Sequence, residues 1–344
     1  MTDRYPSSSV GPQHQRNAQL SSPRRAVITL ATTKMIYVDM ALVLARSFVL
    51  WNRDAGIPFY LFTDVEFDLP RDLQGYVELK RMPPGALGTG FSPKLHLDEI
   101  APAPQTLFID ADCMVMGPLA PIFDRFAGRA VSVFGVHMSE GIWWGDVSAI
   151  LKRIGRTWMT GFNGGLYYVE PGETAAKVYA RAREIEGLYD SWGLARLRGR
   201  PNDEVLMSIA MAEANLEPVH DDGTIMVPYN SYSLFRELDV FAGRCTMENP
   251  PRGNKLHRNG VPVRVVHPVI PHFVDTYTLH WRYLAEAERM RLHMASGVPR
   301  WLARIYTFTT ISIPGWLKMT GKEWLRPVYR ALFGVRAVKA NERV

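Results

Sequence analysis

Two aspartates one residue apart, Asp110 and Asp112, follow the apolar run Thr106-Leu107-Phe108-Ile109 and precede Cys113-Met114-Val115. In a buried strand the period of two puts both carboxylates on one side of the chain. Two anions held that close call for a cation. A hard divalent ion accepts oxygen ligands and keeps positions open for substrate phosphates. The chemistry indicated is metal-assisted handling of a phosphorylated substrate. Asp-x-Asp alone is a short pattern, so its context decides its weight.

Four further segments supply that context. Phe91-Ser92-Pro93-Lys94-Leu95-His96 precedes the aspartates, and Lys94 offers a cation for a phosphate or a sugar hydroxyl. Gly161-Phe162-Asn163-Gly164-Gly165 offers an amide side chain, with glycines that let backbone approach a ligand closely. Asn202-Asp203-Glu204 opens a helical pattern, with Asn202 suited to the N-cap and Asp203 to the positive helix end. Val265-Val266-His267 ends an apolar run, where a neutral imidazole would complete a metal site. His272, in Pro271-His272-Phe273, is its rival; ending a strand directly favours His267 slightly.

These residues need a sheet to carry them. Ala26 to Leu30 and Pro58 to Thr63 read as strands separated by the helical pattern Val38 to Trp51. Val77 to Leu79 reads as a third strand, and Pro93 to Ile100 as a short helix before the strand that ends at Asp110. Strand, helix, strand implies a parallel sheet with crossovers, whose ligands bind beyond the carboxyl ends of the strands. Thr32, Asp64 and the paired aspartates fall at such ends. Beyond Asp112, Val131 to Phe134, Gly165 to Val169 and Val261 to Val266 read as strands. Thr174 to Tyr189, Asp203 to Ala214 and Thr276 to Met290 read as helices.

A chain of 344 residues with 47% hydrophobic and 22% charged residues can bury a full core, most simply in one large domain. Two cysteines, Cys113 and Cys245, make no disulfide framework and no zinc site, and they suit a reducing compartment. The net charge of +6 conceals an asymmetry: residues 291–344 hold ten Lys/Arg against Glu323 and Glu342, which leaves −2 for the rest. That distribution argues for a local electrostatic anchor rather than a nucleic-acid groove. Residues 1–23, rich in Ser, Gln, Pro and Asn, read as a disordered leader lacking an apolar signal region. The uncharged stretch Ile305 to Leu317 is too short and too polar to cross a bilayer.

Taken in order, Lys94-Leu95-His96, Leu107 to Asp112, Phe162-Asn163-Gly164-Gly165, Asp203-Glu204 and Val265-Val266-His267 resemble the motif series of glycosyltransferase family eight. The match runs from about Ala26 to Met290. It implies an α/β GT-A fold, a mixed and mostly parallel sheet flanked by helices, over residues 24–290. It also implies a nucleoside diphosphate sugar donor, usually a UDP-sugar, with Mn2+ or Mg2+, a glycan or glycolipid acceptor, and retention of configuration. By this resemblance Asp110, Asp112 and His267 would hold the metal. Lys94, Asn163 and Asp203 would surround the donor sugar as the catalytic set. Thr32, Tyr37, Ala111, Gly164 and Gly165, together with the aspartates, would line the nucleotide-sugar. Two departures stand out: Glu204 replaces the family's glutamine, and the Lys-Pro-Trp expected after the metal histidine is missing, so that Arg282 or Arg264 would have to replace its lysine.

Each residue also has a plainer reading. Lys94 fits a solvated helix charge, Asn163 a turn cap, Asp203 a helix-end partner and His267 a hydrogen-bonded core residue. Trp143 and Trp144 fit either an acceptor platform or ordinary packing. A sugar nucleotidyltransferase shares the architecture but needs a Gly-rich, Arg-containing loop after the first strand, where this chain has Ala31-Thr32-Thr33-Lys34. A non-catalytic membrane-bound scaffold is the other alternative. Finally, Lys322 to Phe333 sets Trp324, Leu325, Val328, Tyr329, Leu332 and Phe333 against Lys322, Arg326 and Arg330, so residues 291–344 form an amphipathic helical tail. Such a tail suits an anionic membrane and places the enzyme peripherally on the cytoplasmic face; a helix pair packed on the domain is the alternative.

Overall fold

The computed structural model describes residues 23–334. The expected leader lies almost wholly outside the described residues, as do the last ten residues of the tail. Six strands build the main sheet: β1 (Arg25–Leu30), β2 (Phe59–Thr63), β3 (Val77–Arg81), β4 (Gln105–Ile109), β5 (Val131–Ser132) and, later in the chain, β8 (Leu166–Val169). Their order is β3-β2-β1-β4-β8-β5. The first four run parallel, while β8 is antiparallel to both β4 and β5. β2 and β4 of the parallel core are buried throughout, as is the antiparallel β8, which is why these strands carry apolar residues on both faces.

The helix after β1, α1 (Met35–Asn52), is long and apolar enough to cross a membrane, yet Val38, Ala41, Leu44, Ala45 and Phe48 are buried against the sheet. It is a core helix. Short helices α2 (Leu97–Ile100), α3 (Ala120–Phe126) and α4 (Val147–Ile154) follow. α5 (Glu173–Gly187) and α6 (Asp203–Glu213) cover the other face with Val178, Tyr179, Val205 and Ile209.

The run Val131 to Phe134 splits: its second half enters β6 (Phe134–Met138), which pairs with β7 (Met159–Phe162) and β9 (Val219–His220) in a separate three-stranded sheet. β10 (Met226–Pro228) pairs with β14 (Ile270–His272), and β11 (Leu234–Asp239), β12 (Arg244–Asn249) and β13 (Arg264–Val266) form another sheet. The closing helix α7 (Trp281–Ser296) starts five residues later than the sequence pattern suggests. Residues 275–279 form a 3-10 turn, and His280 caps α7 by accepting from Arg282 N at 3.2 Å.

The tail begins with α8 (Arg300–Thr307), whose Ala303 and Thr307 are buried while Arg304 reaches Asp239 at 3.7 Å. α9 (Ile313–Phe333) buries none of its 21 residues. Gly315 touches the body: a Cβ there would meet Trp281 Cβ at 2.3 Å. Trp324 is 80% exposed, and Leu332 and Phe333 are each 70% exposed.

Candidate functional site

Asp110 leaves β4 at its carboxyl end, its N–H donating to Gly165 O at 3.0 Å while its carbonyl accepts from Cys113 N at 3.0 Å. This turn aims both aspartates at β14. Cys113 and His272 form an isolated antiparallel bridge, and Phe273 N donates to Asp112 O at 2.9 Å. His272 Nε2 therefore lies 2.8 Å from Asp112 Oδ1 and 4.0 Å from Asp110 Oδ2.

Lys94, carried on the 3-10 turn Ser92–His96, stands between carboxylates. Its Nζ lies 2.6 Å from Asp110 Oδ2, 3.0 Å from Gly164 O and 3.9 Å from Asp203 Oδ2. Burial works against its charge, but Asp110 and then Asp203 more than offset this and raise its pKa above the lysine range. Asp203 opens α6 behind the Asn202 cap, and Tyr167 OH donates to its Oδ2 at 2.5 Å. Burial raises the Asp203 pKa despite Lys94 and Tyr167. Glu204 is also raised, by burial and then by Asp203.

Asp110, Asp112, Asp203 and Glu204 thus gather around one lysine and one histidine. His272 is pulled down by burial, yet the Asp112 and Asp110 carboxylates raise its pKa overall; in return His272 lowers that of Asp112 against the opposing effect of burial. Asp112 Oδ1 is buried and receives no well-directed hydrogen bond despite the nearby imidazole. Two carboxylates and an imidazole, with one oxygen unsatisfied, fit a divalent ion such as Mn2+ or Mg2+. Cys113 Sγ lies within 4.8 Å of the Asp112 and His272 ligand atoms. Burial, reinforced by both aspartates, pushes its thiol well above the ordinary range, and Sγ faces Gly165 O at 3.9 Å.

Most of the sequence-derived set converges here: Lys94, Asp110, Ala111, Asp112, Asn163, Gly164, Gly165 and Asp203. The glycines are there because of space. A Cβ at Gly164 would lie 2.8 Å from Asp203 Oδ2, and one at Gly165 would lie 2.4 Å from His272 Nδ1. Thr32 follows β1 and accepts Lys34 N at 2.9 Å, and Tyr37 opens α1 beneath Lys34. Between them Thr33 takes φ 71°, its N–H bonded to Asp64 Oδ1 at 2.7 Å.

The preference for His267 is reversed. Its ring is exposed and meets Thr246 Oγ1 at 3.1 Å beside β12, whereas His272 is 3% exposed and faces both aspartates. Ending the apolar run Val265-Val266 marked His267, but β13 belongs to another sheet. Arg264 is also committed elsewhere, to Tyr232 and Asp221. Arg282 lies over Trp281 at 4.7 Å and forms no ion pair among the described residues.

Tyr167, Glu204 and Trp144 complete the site; the sequence reading gave Tyr167 no role, marked Glu204 only as a departure from a motif, and left Trp144 between an acceptor platform and ordinary packing. Trp143 packs on Phe162, and Trp144 Nε1 donates to Glu204 Oε2 at 2.9 Å, so both tryptophans wall the site. Tyr167 did leave a signal: of adjacent Tyr167 and Tyr168 in β8, strand alternation must turn one towards Asp203.

The sheet order, its single antiparallel member beside β4 and the paired aspartates at its ligand edge define the GT-A fold of nucleotide-diphospho-sugar transferases. No protein-family model and no curated protein sequence matches the chain. Among solved structures, the galactosyltransferase LgtC in complex with donor and acceptor sugar analogs superposes with a TM-score of 0.50 at 15% identity, covering 81% of this chain and 99% of that one. An active-site Gln-to-Glu variant of LgtC gives the same values. The bifunctional glycosyltransferase WbbM reaches a TM-score of 0.45 at 10% identity over 83% of this chain and 52% of its own. At 15% identity the likeness to LgtC establishes the fold, in agreement with the sequence resemblance.

Proposed function

We propose that this chain is a metal-dependent glycosyltransferase that moves a sugar from a nucleoside diphosphate donor, a UDP-hexose, to a glycan or glycolipid acceptor. One observation carries the proposal: Asp110, Asp112 and a buried histidine meet at the sheet's ligand edge with Asp112 Oδ1 unsatisfied, and Lys94 links them to Asp203. Asp110, Asp112 and His272 would hold the ion, which stabilises charge developing on the departing diphosphate. Lys94 bridges Asp110 and Asp203 and holds the two carboxylates close together. Asp203, oriented by Tyr167, and Asn163 would stabilise positive charge on an oxocarbenium-like sugar. Attack by the acceptor hydroxyl from the face on which the diphosphate leaves gives retention.

The exposed apolar and aromatic side chains of α9, interleaved with Lys318, Lys322, Arg326 and Arg330 against Glu323, support docking to an anionic membrane, which would hold the enzyme at the cytoplasmic face.

Calorimetric titration of UDP and UDP-sugars with and without Mn2+ tests the core of this proposal. Binding that needs the ion and is lost in Asp112→Asn is expected, and metal-independent binding refutes the ion's role. A product of inverted anomeric configuration would refute retention.

A further inference from the structure

Every contact of the Glu204 carboxylate is with a donor. Oε1 accepts from Gly164 N at 2.8 Å and from Asn163 Nδ2 at 3.3 Å. Oε2 accepts from Trp144 Nε1 at 2.9 Å and from Asn202 Nδ2 at 3.4 Å. Indole and backbone N–H groups can only donate, so a glutamine here would turn its own NH2 towards one of the two donor pairs. The carboxylate that departs from the expected motif is the group this set of neighbours requires.

The effect reaches one residue further. Gly165 N donates to Asn163 Oδ1 at 3.1 Å while Asn163 Nδ2 faces Glu204, so the amide has a single orientation. The atom 2.6 Å from His272 Nδ1 is therefore the Asn163 oxygen, and Nδ1 must carry the proton. That leaves Nε2 as the nitrogen turned to Asp112 and Asp110. We propose that Glu204 is a positioning residue of the cation site: it fixes the Asn163 amide, and through it holds the His272 ring with Nε2 presented to the two aspartates. Metal-binding histidines are commonly oriented by a hydrogen bond at the other nitrogen, and here the orienting group is itself held from behind. Trp144, at φ 54°, ties the loop after β6 to the same carboxylate. This inference rests on the cation reading above.

The test titrates Mn2+ into the full-length chain, Glu204→Ala and Glu204→Gln, following free Mn2+ by electron paramagnetic resonance at fixed pH. In parallel, ring 15N shifts read whether His272 Nδ1 is protonated, with and without Mg2+, assigned through His272→Asn. Nδ1 is expected to be protonated in the wild type. Glu204→Ala should lower Mn2+ affinity by roughly tenfold to a hundredfold and populate a ring with bare Nδ1. Glu204→Gln, which can keep an acceptor towards Asn163, should lose less affinity and so rescue part of the effect. Unchanged affinity and an unchanged ring in Glu204→Ala would overturn the inference. If the wild type binds no Mn2+, the cation reading fails instead. In that case, or if Glu204→Ala does not fold, a bare Nδ1 in the wild type overturns the relay and a protonated one supports it.

Discussion

The ligand edge of the main sheet and the C-terminal helix α9 solve opposite problems. At the edge, charges are buried: Lys94, Asp203 and His272 are largely shielded from water, and each is held by a partner of opposite charge or by a hydrogen bond. On α9, apolar rings are exposed, with Trp324, Leu332 and Phe333 in water and no residue of the helix buried. The edge keeps charges out of water because its chemistry needs a low dielectric, where fixed charges act strongly. The helix leaves oil in water, a cost that a membrane surface would remove. Damage to the edge should therefore abolish turnover, and damage to the helix should change where the protein resides.

The largest expected effect is at the edge. Asp112→Asn should lower turnover at least about a thousandfold, roughly 4 kcal/mol of lost transition-state stabilisation. Steady-state rates with a UDP-sugar measure this, and a loss below tenfold would place the reacting diphosphate elsewhere. Next comes the helix. Because α8 packs on the body and Gly315 seats against Trp281, the clean cut falls after them. Deleting residues 318–344 should abolish co-sedimentation with phosphatidylserine vesicles, each lost cation contributing about 1 kcal/mol at the surface. Folding stability should stay within about 0.5 kcal/mol, since none of the described residues removed is buried. Retained sedimentation would remove the contrast drawn above.

A smaller change tests the support behind the edge. Tyr167→Phe takes a donor from buried Asp203 and should cost about 1–3 kcal/mol of stability in denaturant titrations. It should also reduce kcat, while KM for the donor changes less. The smallest effect lies between the two regions, at the start of α7. Burial, and then Arg282, hold the His280 pKa down to about 4 from 6.5. The unfolded chain therefore binds a proton that the folded chain refuses, and stability present at neutral pH falls as pH drops from 6.5 towards 4. His280→Asn keeps an N-cap side chain and should flatten part of that decline in thermal melts. An identical pH profile would locate the acid sensitivity elsewhere.

The parts of the fold legible in the sequence are those where one physical pattern dominates. β1, β2, β4 and β8 are buried apolar runs bounded by turn residues, and the aspartates, Lys94, Asn163 and Asp203 lie beside such elements. The β11–β12 hairpin was missed because Arg236, Glu237, Arg244 and Glu248 interrupt its apolar positions, half of its surface being open to water. Composition also carried α7 back to Thr276, although capping by His280 sets its start. His267 outranked His272 because strand strength is local, whereas proximity to Asp112 depends on the Cys113–His272 bridge across the chain. Glu204 could be seen as a departure from a motif, but its reason could not. Its donors come from the loop after β6, the β7–β8 turn and the α6 cap, which only the folded chain brings together.

The seating of β14 beneath the Asp112 turn also has a consequence for synthesis. His272 meets Asn163, a residue made 109 positions earlier, so this contact closes a long loop and forms late. A nascent chain can assemble the first four parallel strands and gather Asp110, Asp112 and Lys94 while its histidine is still unmade. Competence would then arrive abruptly with the last strand, and a product truncated before it would possess the parallel part of the sheet and an incomplete site, inert rather than partially active.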